Sequence, residues 1–193
     1  NLMRQSIELI SKFPTTIAYA YNMYRHKHHG RSLHIRDAQP GLSLAENFLY
    51  MLKGNDYTSL EARTLDVLLI LHSEHGGGNN STFTVRVTSS TGTDTFSSIA
   101  AGIGSLKGPK HGGANLKVCD MLDYLKKSVK DWKNDSQIAE QIRTILSGKV
   151  CDRSGLVYGI GHAVYTKSDP RAVMLKQYAR KLAYDKGYGD DFE

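Results

Sequence analysis

The sequence has 193 residues, of which 40% are hydrophobic and 23% charged, and this is typical of one globular domain or of a domain with a second lobe. The net charge of +6 is spread along the chain among acidic residues, which indicates solvated surface rather than a nucleic-acid-binding patch. No apolar run approaches the ~18 residues of a membrane span. We therefore expect neither nucleic acid nor a membrane as a partner, whereas a modest positive field suits small anions such as carboxylates and phosphates.

The two cysteines and the two ends of the chain indicate its context. Cys119 and Cys151 form no CxxC pair, which is typical of reduced thiols in a cytosolic protein. The chain begins at Asn1 in helix-like sequence with no initiator Met and no leader pattern, and it stops at KGYGDDFE without a closing element. We expect it to be a piece of a longer protein.

Helical periodicity covers most of the chain. It predicts helices over residues 3–24, 43–52, 59–72, 94–106, 114–127, 135–148 and 169–187. In the first, Pro14 predicts a kink or an early turn, and residues 26–41 are predicted to be a polar loop. In the third, the expected core stripe is Leu65, Leu68, Leu69 and His72.

Cap residues mark several of these helix ends. Ser43, Ser59 and Asp135 are candidate N-caps, Gly148 is a candidate terminator, and Pro170 is expected at the first position of the last helix. Only STFTVRVT, residues 81–88, has the β-branched alternation of a strand, and nothing comparable exists to pair with it. The predicted fold class is all-α.

Three histidines flanked by glycines stand at predicted helix boundaries. They are His75 in HSEHGGGN, His111 in GPKHGGAN and His162 in GIGHAVY. One of them alone would be a turn residue with an incidental imidazole, but three in one chain favour a functional interpretation. Glycine lets a ligand or another backbone come close. A helix N-terminus favours the neutral imidazole, which can donate to a carbonyl oxygen in chemistry that passes through an enol.

The segment SDPR places Arg171 in the first turn of the last predicted helix. Arginine binds carboxylates through two parallel hydrogen bonds, so this residue is a candidate ligand for an acidic substrate. The alternative is an ordinary surface charge on a helix.

The segments HSEHGGGNNSTF, GSLKGPKHGGANLKV and GIGHAVYTKSDPRA, in this order, resemble the signature segments of the citrate synthase family. The resemblance is detailed over residues 59–178 and continues more weakly upstream. It implies an almost entirely helical, two-domain homodimer that condenses oxaloacetate with acetyl-CoA, with acetyl-CoA as a co-substrate and no permanently bound cofactor. It further implies that residues 1–111 are part of the large domain and residues 112–193 a truncated small domain, in the cytoplasm or, in a eukaryote, the mitochondrial matrix.

The resemblance also assigns roles to individual residues. His111 matches the histidine that stabilises the acetyl enol, and His162 matches the one that polarises the oxaloacetate ketone. Arg171 and His75 match residues that contact oxaloacetate. The backbone segment that receives the coenzyme corresponds to Val157, Tyr158, Gly159, Ile160 and Gly161.

One essential group of the family has no counterpart in these residues. The general base is an aspartate several tens of residues beyond the DPR arginine, and two further substrate arginines follow it, whereas this chain ends 22 residues past Arg171. Asp185, Asp190 and Asp191 are too close to that arginine and stand in the wrong context. We therefore expect the piece by itself to be inactive.

Three alternatives remain open at this point. The first is 2-methylcitrate synthase, which shares these motifs and uses propionyl-CoA. The second is a truncated, non-catalytic member of the family. The third is a metal-binding module, suggested by one histidine tract and by two histidines three positions apart at a helix end: His26, His28, His29 and His34, and the pair His72 and His75.

Overall fold

The computed structural model describes residues 1–74, 76–162 and 165–189, and within these it contains eight helices and no strand. They are α1 (Leu2–His29), α2 (Leu44–Lys53), α3 (Ser59–His72), α4 (Asn80–Ser89), α5 (Thr95–Leu106), α6 (Ala114–Ser128), α7 (Asp135–Leu146) and α8 (Pro170–Asp185). The all-α prediction is confirmed. None of the described helices is both long enough and apolar enough to cross a membrane.

The helices belong to two compact units. Unit 1 consists of Asn1–His75 and Ser168–Glu193, and unit 2 of Gly76–Lys167. In unit 1, α2 packs against α1 and α3, and α3 packs against α8; in unit 2, α4 packs against α5 and α6 against α7. The domain boundary near residue 111 stays a prediction, and it falls within the second of these units.

Small side chains form the core of unit 1. The buried apolar residues are Ala18, Ala45, Met51, Ala62 and Val67. Alanine at a helix contact lets two backbones approach closely, so these helices need few large residues to meet. The buried Asn22 donates from Nδ2 to the carbonyl oxygens of His34 at 3.0 Å and Met51 at 3.2 Å, which ties the segment after α1 to α2.

The predicted core stripe of α3 is wrong. Ala62 and Val67 are the buried residues of this helix, whereas Leu68 and Leu69 are each 38% exposed and His72 is exposed. The run LDVLLIL is apolar on nearly every side, so periodicity could not identify the face that packs.

An N-cap is the residue whose side chain accepts from a backbone N–H group in the first turn of the helix. In two of three helices this is not the residue predicted from the sequence. Ser43 caps α2 as predicted, but α3 is capped by Thr58 and α7 by Asn134, one residue before the predicted caps. Thr58 forms a capping box with Glu61, in which each side chain accepts from the other's backbone N–H. The same spacing was visible in the sequence TSLE. Pro170 stands at the start of α8 as predicted.

The segment that resembled a strand is helix α4. Its N-cap Asn79 accepts from the backbone N–H groups of Ser81 and Thr82. Gly102 of α5 lies against Val85, where an added Cβ would come within 2.5 Å of the valine Cγ2. β-Branched residues disfavour a helix by only a few tenths of a kcal/mol each, roughly, and this close α4–α5 packing outweighs that preference.

Helix α1 runs through Pro14 and continues to His29, so the predicted loop begins four residues later than expected. It ends at Gly30, which has a left-handed φ of 61°. The last turn contains Lys27 and three histidines, and basic side chains are favourable beside the carbonyl end of a helix.

Glu61 links three elements of unit 1, and its removal should destabilise the fold. Its carboxylate accepts from Thr58 N at 2.7 Å and pairs with Lys53 and Lys186, each at 3.1 Å. The Thr58 hydrogen bond, followed by the two lysines, lowers the pKa of Glu61 to about 2. We expect Glu61→Gln to lower the free energy of unfolding at neutral pH by about 1–2 kcal/mol.

The sign of the pH dependence follows from the lowered pKa. The ionised carboxylate is favoured in the folded state, so its contribution is complete above the ordinary glutamate pKa and declines as the pH falls toward about 2. Urea unfolding of the full-length protein at pH 7 and pH 3 should therefore show a smaller difference between wild type and variant at pH 3. Asp66→Asn on the same helix is the control, and an equal loss in both variants would contradict this role for Glu61.

Candidate functional site

His111 lies in the tight turn between α5 and α6, three residues before the first residue of α6. Its backbone N–H donates to Gly108 O at 3.0 Å, and its carbonyl accepts from Ala114 N at 3.3 Å. Its imidazole Nε2 lies 2.6 Å from the hydroxyl oxygen of Ser81 on α4. Both side chains are half-buried, so the contact fixes the ring while leaving part of it accessible.

The glycines that follow His111 are required by close backbone contacts. Gly112 N donates to Leu106 O at 3.0 Å, and a Cβ at this glycine would collide with the same carbonyl oxygen. A Cβ at Gly113 would lie 2.5 Å from Pro109 O. The sequence GPKHGGAN thus folds the backbone onto itself, and no room remains for a larger residue beside the imidazole.

His162 stands in the loop between α7 and α8 and is exposed. Its Nδ1 accepts from Tyr165 N at 3.2 Å, and the two rings lie 4.8 Å apart. A neutral imidazole that accepts at Nδ1 has its proton on Nε2. The geometry therefore presents Nε2–H as a hydrogen-bond donor.

The glycine turn of residues 157–161 immediately precedes His162. Gly159 and Gly161 have φ values of 82° and 87°, in the left-handed region that other residues adopt only with strain. Gly159 lies against Val118 of α6, and Ile160 is 77% exposed. The turn consequently offers backbone groups to a ligand while one side rests on a helix.

An ionic cluster lies beside this turn. Lys117 Nζ donates to Asp152 Oδ2 at 2.7 Å and to Tyr158 Oη at 3.1 Å, and the Tyr158 hydroxyl donates to the same carboxylate oxygen at 2.6 Å. The Asp152 and Tyr158 contacts raise the pKa of Lys117 to about 12. Lys117, followed by Ser154 and Tyr158, holds the pKa of Asp152 well below its usual range. Both groups are therefore charged throughout the neutral range.

Arg171 is in the first turn of α8, as predicted, and is half-buried. Asp169, the N-cap of this helix, accepts from the Arg171 backbone N–H at 2.9 Å and from Nε at 3.0 Å. A further bond joins Nη2 to the other carboxylate oxygen. The cap residue thus also orients the guanidinium group.

The predicted site residues are divided between the two units. His111, His162 and the glycine turn of residues 157–161 belong to unit 2, and Arg171 belongs to unit 1. His75 lies outside the described residues, as do Asp190 and Asp191.

The histidine tract near the end of α1 has local partners. His26 donates from Nδ1 to Arg31 O at 2.8 Å, and the rings of His28 and His29 pack on Tyr24 at 4.8 and 5.4 Å. Among the described residues, no group of three or more His, Cys, Asp or Glu side chains is arranged to hold a metal ion.

Three residues that contact the candidate site are not among those predicted from the sequence: Ser81, Lys117 and Asp152. The alternation around Ser81 resembles that of a strand, and the signal that could have identified a helix is Asn79, a typical N-cap residue. Lys117 and Asp152 are 35 residues apart, and no spacing rule connects a lysine in a helix with an aspartate in a distant loop.

Known proteins resemble this chain over most or all of its length. The family model described as citrate synthase, C-terminal domain, matches residues 1–193. The 2-methylcitrate synthase of Shewanella oneidensis is 38% identical over 183 residues, 95% of this chain and 44% of that protein. The citrate synthase of Deinococcus radiodurans is 40% identical over 152 residues, 79% of this chain and 37% of that protein.

A solved structure is similar over nearly the whole of this chain. The crystal structure of citrate synthase from Pyrobaculum aerophilum superposes with a TM-score of 0.75 and 34% identity, over 99% of this chain and 42% of that chain. The chain therefore spans less than half the length of the relatives that it matches.

Proposed function

This chain belongs to the citrate synthase family, and we propose that its protein condenses acetyl-CoA with oxaloacetate to give citrate and CoA. The observation that supports this most is the turn at His111, where Ser81 fixes an imidazole beside two glycines that close backbone contacts require. Such a group suits a reaction in which negative charge develops on an acyl oxygen.

His111 is proposed to donate to the thioester oxygen of acetyl-CoA as the methyl group loses a proton. For Nδ1 to be that donor, Nε2 has to accept a hydrogen bond, and the Ser81 hydroxyl at 2.6 Å is able to provide it. A donor that is already oriented needs no reorganisation when charge appears, which makes it more effective than water. The methyl proton passes to a base for which we propose no residue of this chain.

His162 is proposed to act on the other substrate. Nε2–H, fixed by the Tyr165 contact at Nδ1, would donate a hydrogen bond to the keto oxygen of oxaloacetate and stabilise the negative charge that develops there as the carbon–carbon bond forms. The resulting alkoxide would then take a proton from water. Water then cleaves the thioester and releases CoA. In this proposal His111 donates to the thioester oxygen and His162 to the keto oxygen. Each imidazole has its own hydrogen-bond partner, Ser81 or Tyr165.

The remaining groups are proposed to bind rather than to react. Arg171, oriented by Asp169, would hold a carboxylate of oxaloacetate, and His75 would contact the same substrate. The backbone of residues 157–161 would receive the coenzyme. By analogy with the family, we propose a homodimer in the cytoplasm, with a large domain ending near residue 111.

Replacement of Ser81 by alanine tests how His111 is held. Without the hydroxyl, the ring loses the partner that selects its tautomer, so kcat of the full-length protein for citrate formation should fall about tenfold. KM for oxaloacetate should change little. Ser89→Ala, at the other end of α4, is the control. A kcat equal to wild type in Ser81→Ala would show that the contact does not orient a catalytic histidine.

A second candidate is 2-methylcitrate synthesis from propionyl-CoA, which is favoured by the similarity to the Shewanella oneidensis enzyme of that name. The acetyl and propionyl groups differ by one methylene, and a binding pocket discriminates between two such groups by only about 1–3 kcal/mol. Both acyl-CoA molecules are therefore reasonable substrates for the same site. Measuring kcat/KM of the full-length protein with acetyl-CoA and propionyl-CoA decides between them. We expect acetyl-CoA to be preferred; a clear preference for propionyl-CoA would establish the second candidate instead.

A further inference from the structure

The cluster of Lys117, Asp152, Ser154 and Tyr158 ties the loop between α7 and α8 to α6. Besides the Lys117 contacts, Ser154 N donates to Asp152 Oδ1 at 3.0 Å, and the hydroxyl groups of Ser154 and Tyr158 lie 3.1 Å apart. Lys117 Nζ also lies 5.0 Å from the centre of the Tyr158 ring. Both carboxylate oxygens of Asp152 therefore accept hydrogen bonds, Oδ1 from Ser154 N and Oδ2 from Lys117 and Tyr158.

The backbone around Asp152 adopts strained conformations. Cys151 and Arg153, on either side of it, have φ values of 56° and 59°, in the left-handed region. Each such residue costs about 1–2 kcal/mol relative to a right-handed one, and it persists only where surrounding contacts hold it. Close backbone packing also constrains this loop, since a Cβ at Gly155 would lie 2.9 Å from Leu146 O. The loop is thus bent to bring Asp152 to the lysine.

The cluster adjoins the glycine turn directly. Tyr158 is both a member of the cluster and a residue of the turn, and the next residue, Gly159, rests on Val118, the neighbour of Lys117 in α6. His162 follows three residues later. Lys117 and Val118 lie in the first turns of α6, which begins three residues after His111. The N-terminal end of α6 therefore adjoins both the turn of His111 and the cluster that fixes the glycine turn.

We propose that Lys117 and Asp152 are positioning residues that, through Tyr158, hold the glycine turn against α6 and thereby set the affinity for acyl-CoA. This inference rests on the proposed function, because it assigns the coenzyme to that turn. None of the three side chains takes part in the chemical steps; they act by keeping the backbone of residues 157–161 in its binding geometry. A movement of the turn by about 1 Å is enough to weaken the contacts between its backbone and a bound ligand.

The test uses full-length Asp152→Asn and Tyr158→Phe, which remove a charge and a hydroxyl with little change in shape. We expect the Kd for CoA, measured by isothermal titration calorimetry, and KM for acetyl-CoA to rise about tenfold in both variants, since charge-assisted hydrogen bonds are the stronger class. We expect kcat at saturating acetyl-CoA to stay within about twofold of wild type, because the reacting histidines are unchanged. Lys117→Arg should keep the affinity near that of wild type.

Two controls separate positioning from general effects. Asp123→Asn and Lys126→Met change the same charges at exposed positions of α6 and should leave the Kd for CoA unaltered. The double variant Lys117→Met with Asp152→Asn should bind CoA about as weakly as either single variant, because the pair acts as a unit.

The outcomes distinguish this inference from the function on which it rests. If the wild type forms citrate and the Asp152 and Tyr158 variants bind CoA as tightly as it does, the positioning role is wrong while the function stands. If both variants lose kcat with unchanged affinity for CoA, the cluster supports the chemistry rather than the coenzyme, and the inference is again overturned. If the wild type neither forms citrate nor binds CoA, the proposed function fails, and the inference fails with it.

Discussion

Replacing His111 by alanine is expected to lower the rate of citrate formation by the full-length protein about 100-fold or more, because an oxyanion donor contributes on the order of 3 kcal/mol to the transition state. The fold should survive, since the turn is held by backbone bonds, including the one from Gly112 N to Leu106 O. The measurement is kcat/KM for acetyl-CoA, with circular dichroism to confirm helix content.

His28→Ala is the matched control for this variant, because it removes an imidazole from the end of α1, where the ring packs on Tyr24. Its activity should equal that of wild type. Retained activity in the His111 variant would refute the role proposed for this residue, whereas equal losses in both variants would indicate a general effect of removing histidine.

The second large effect is expected from Gly112→Ala. The added Cβ would collide with the backbone carbonyl of Leu106, which no side-chain rotation can relieve, so the turn has to open. We expect a loss of about 1–3 kcal/mol in the free energy of unfolding, together with a fall in kcat of tenfold or more, roughly, as the adjacent His111 leaves its contact with Ser81.

Gly104→Ala provides the control for this glycine, because it also adds one methyl group and lies eight residues away in α5. Nothing lies within 4 Å of a Cβ built there. In a helix interior, alanine is favoured over glycine by up to about 1 kcal/mol, so this variant should be as stable as wild type or slightly more stable. If the two variants unfold at the same urea concentration with the same activity, the close contact at Gly112 has no functional consequence.

The features that could be predicted from the sequence are local ones. A helix with a strong amphipathic pattern such as α6, the cap at Ser43 and the proline that starts α8 depend on neighbouring residues, and all three were predicted. The segment around Ser81 was predicted to resemble a strand because its side chains are β-branched. Packing against Gly102 in another helix determined its structure, and that packing has no local pattern.

Some residues of the candidate site could also be predicted from the sequence, whereas others could not. Its glycine-flanked histidines could be found in the sequence because close approach of a backbone requires glycine at adjacent positions. Their partners could not, since Ser81 is 30 residues from His111 and Asp152 is 35 residues from Lys117. A contact between distant segments leaves no periodic signal in the sequence. In the sequence, Ser81 is therefore indistinguishable from any other serine, and Asp152 from any other surface aspartate.

The proposed condensation is tested most directly by product analysis with the purified full-length protein, oxaloacetate and acetyl-CoA labelled with a heavy carbon isotope in its methyl group. We expect citrate that contains the labelled carbon, detected by mass spectrometry, and free CoA in equal amount. We also expect the His111 and His162 alanine variants to form this product at greatly reduced rates. A folded wild-type protein that releases CoA without labelled citrate, or forms neither product, would show that the proposed condensation is wrong.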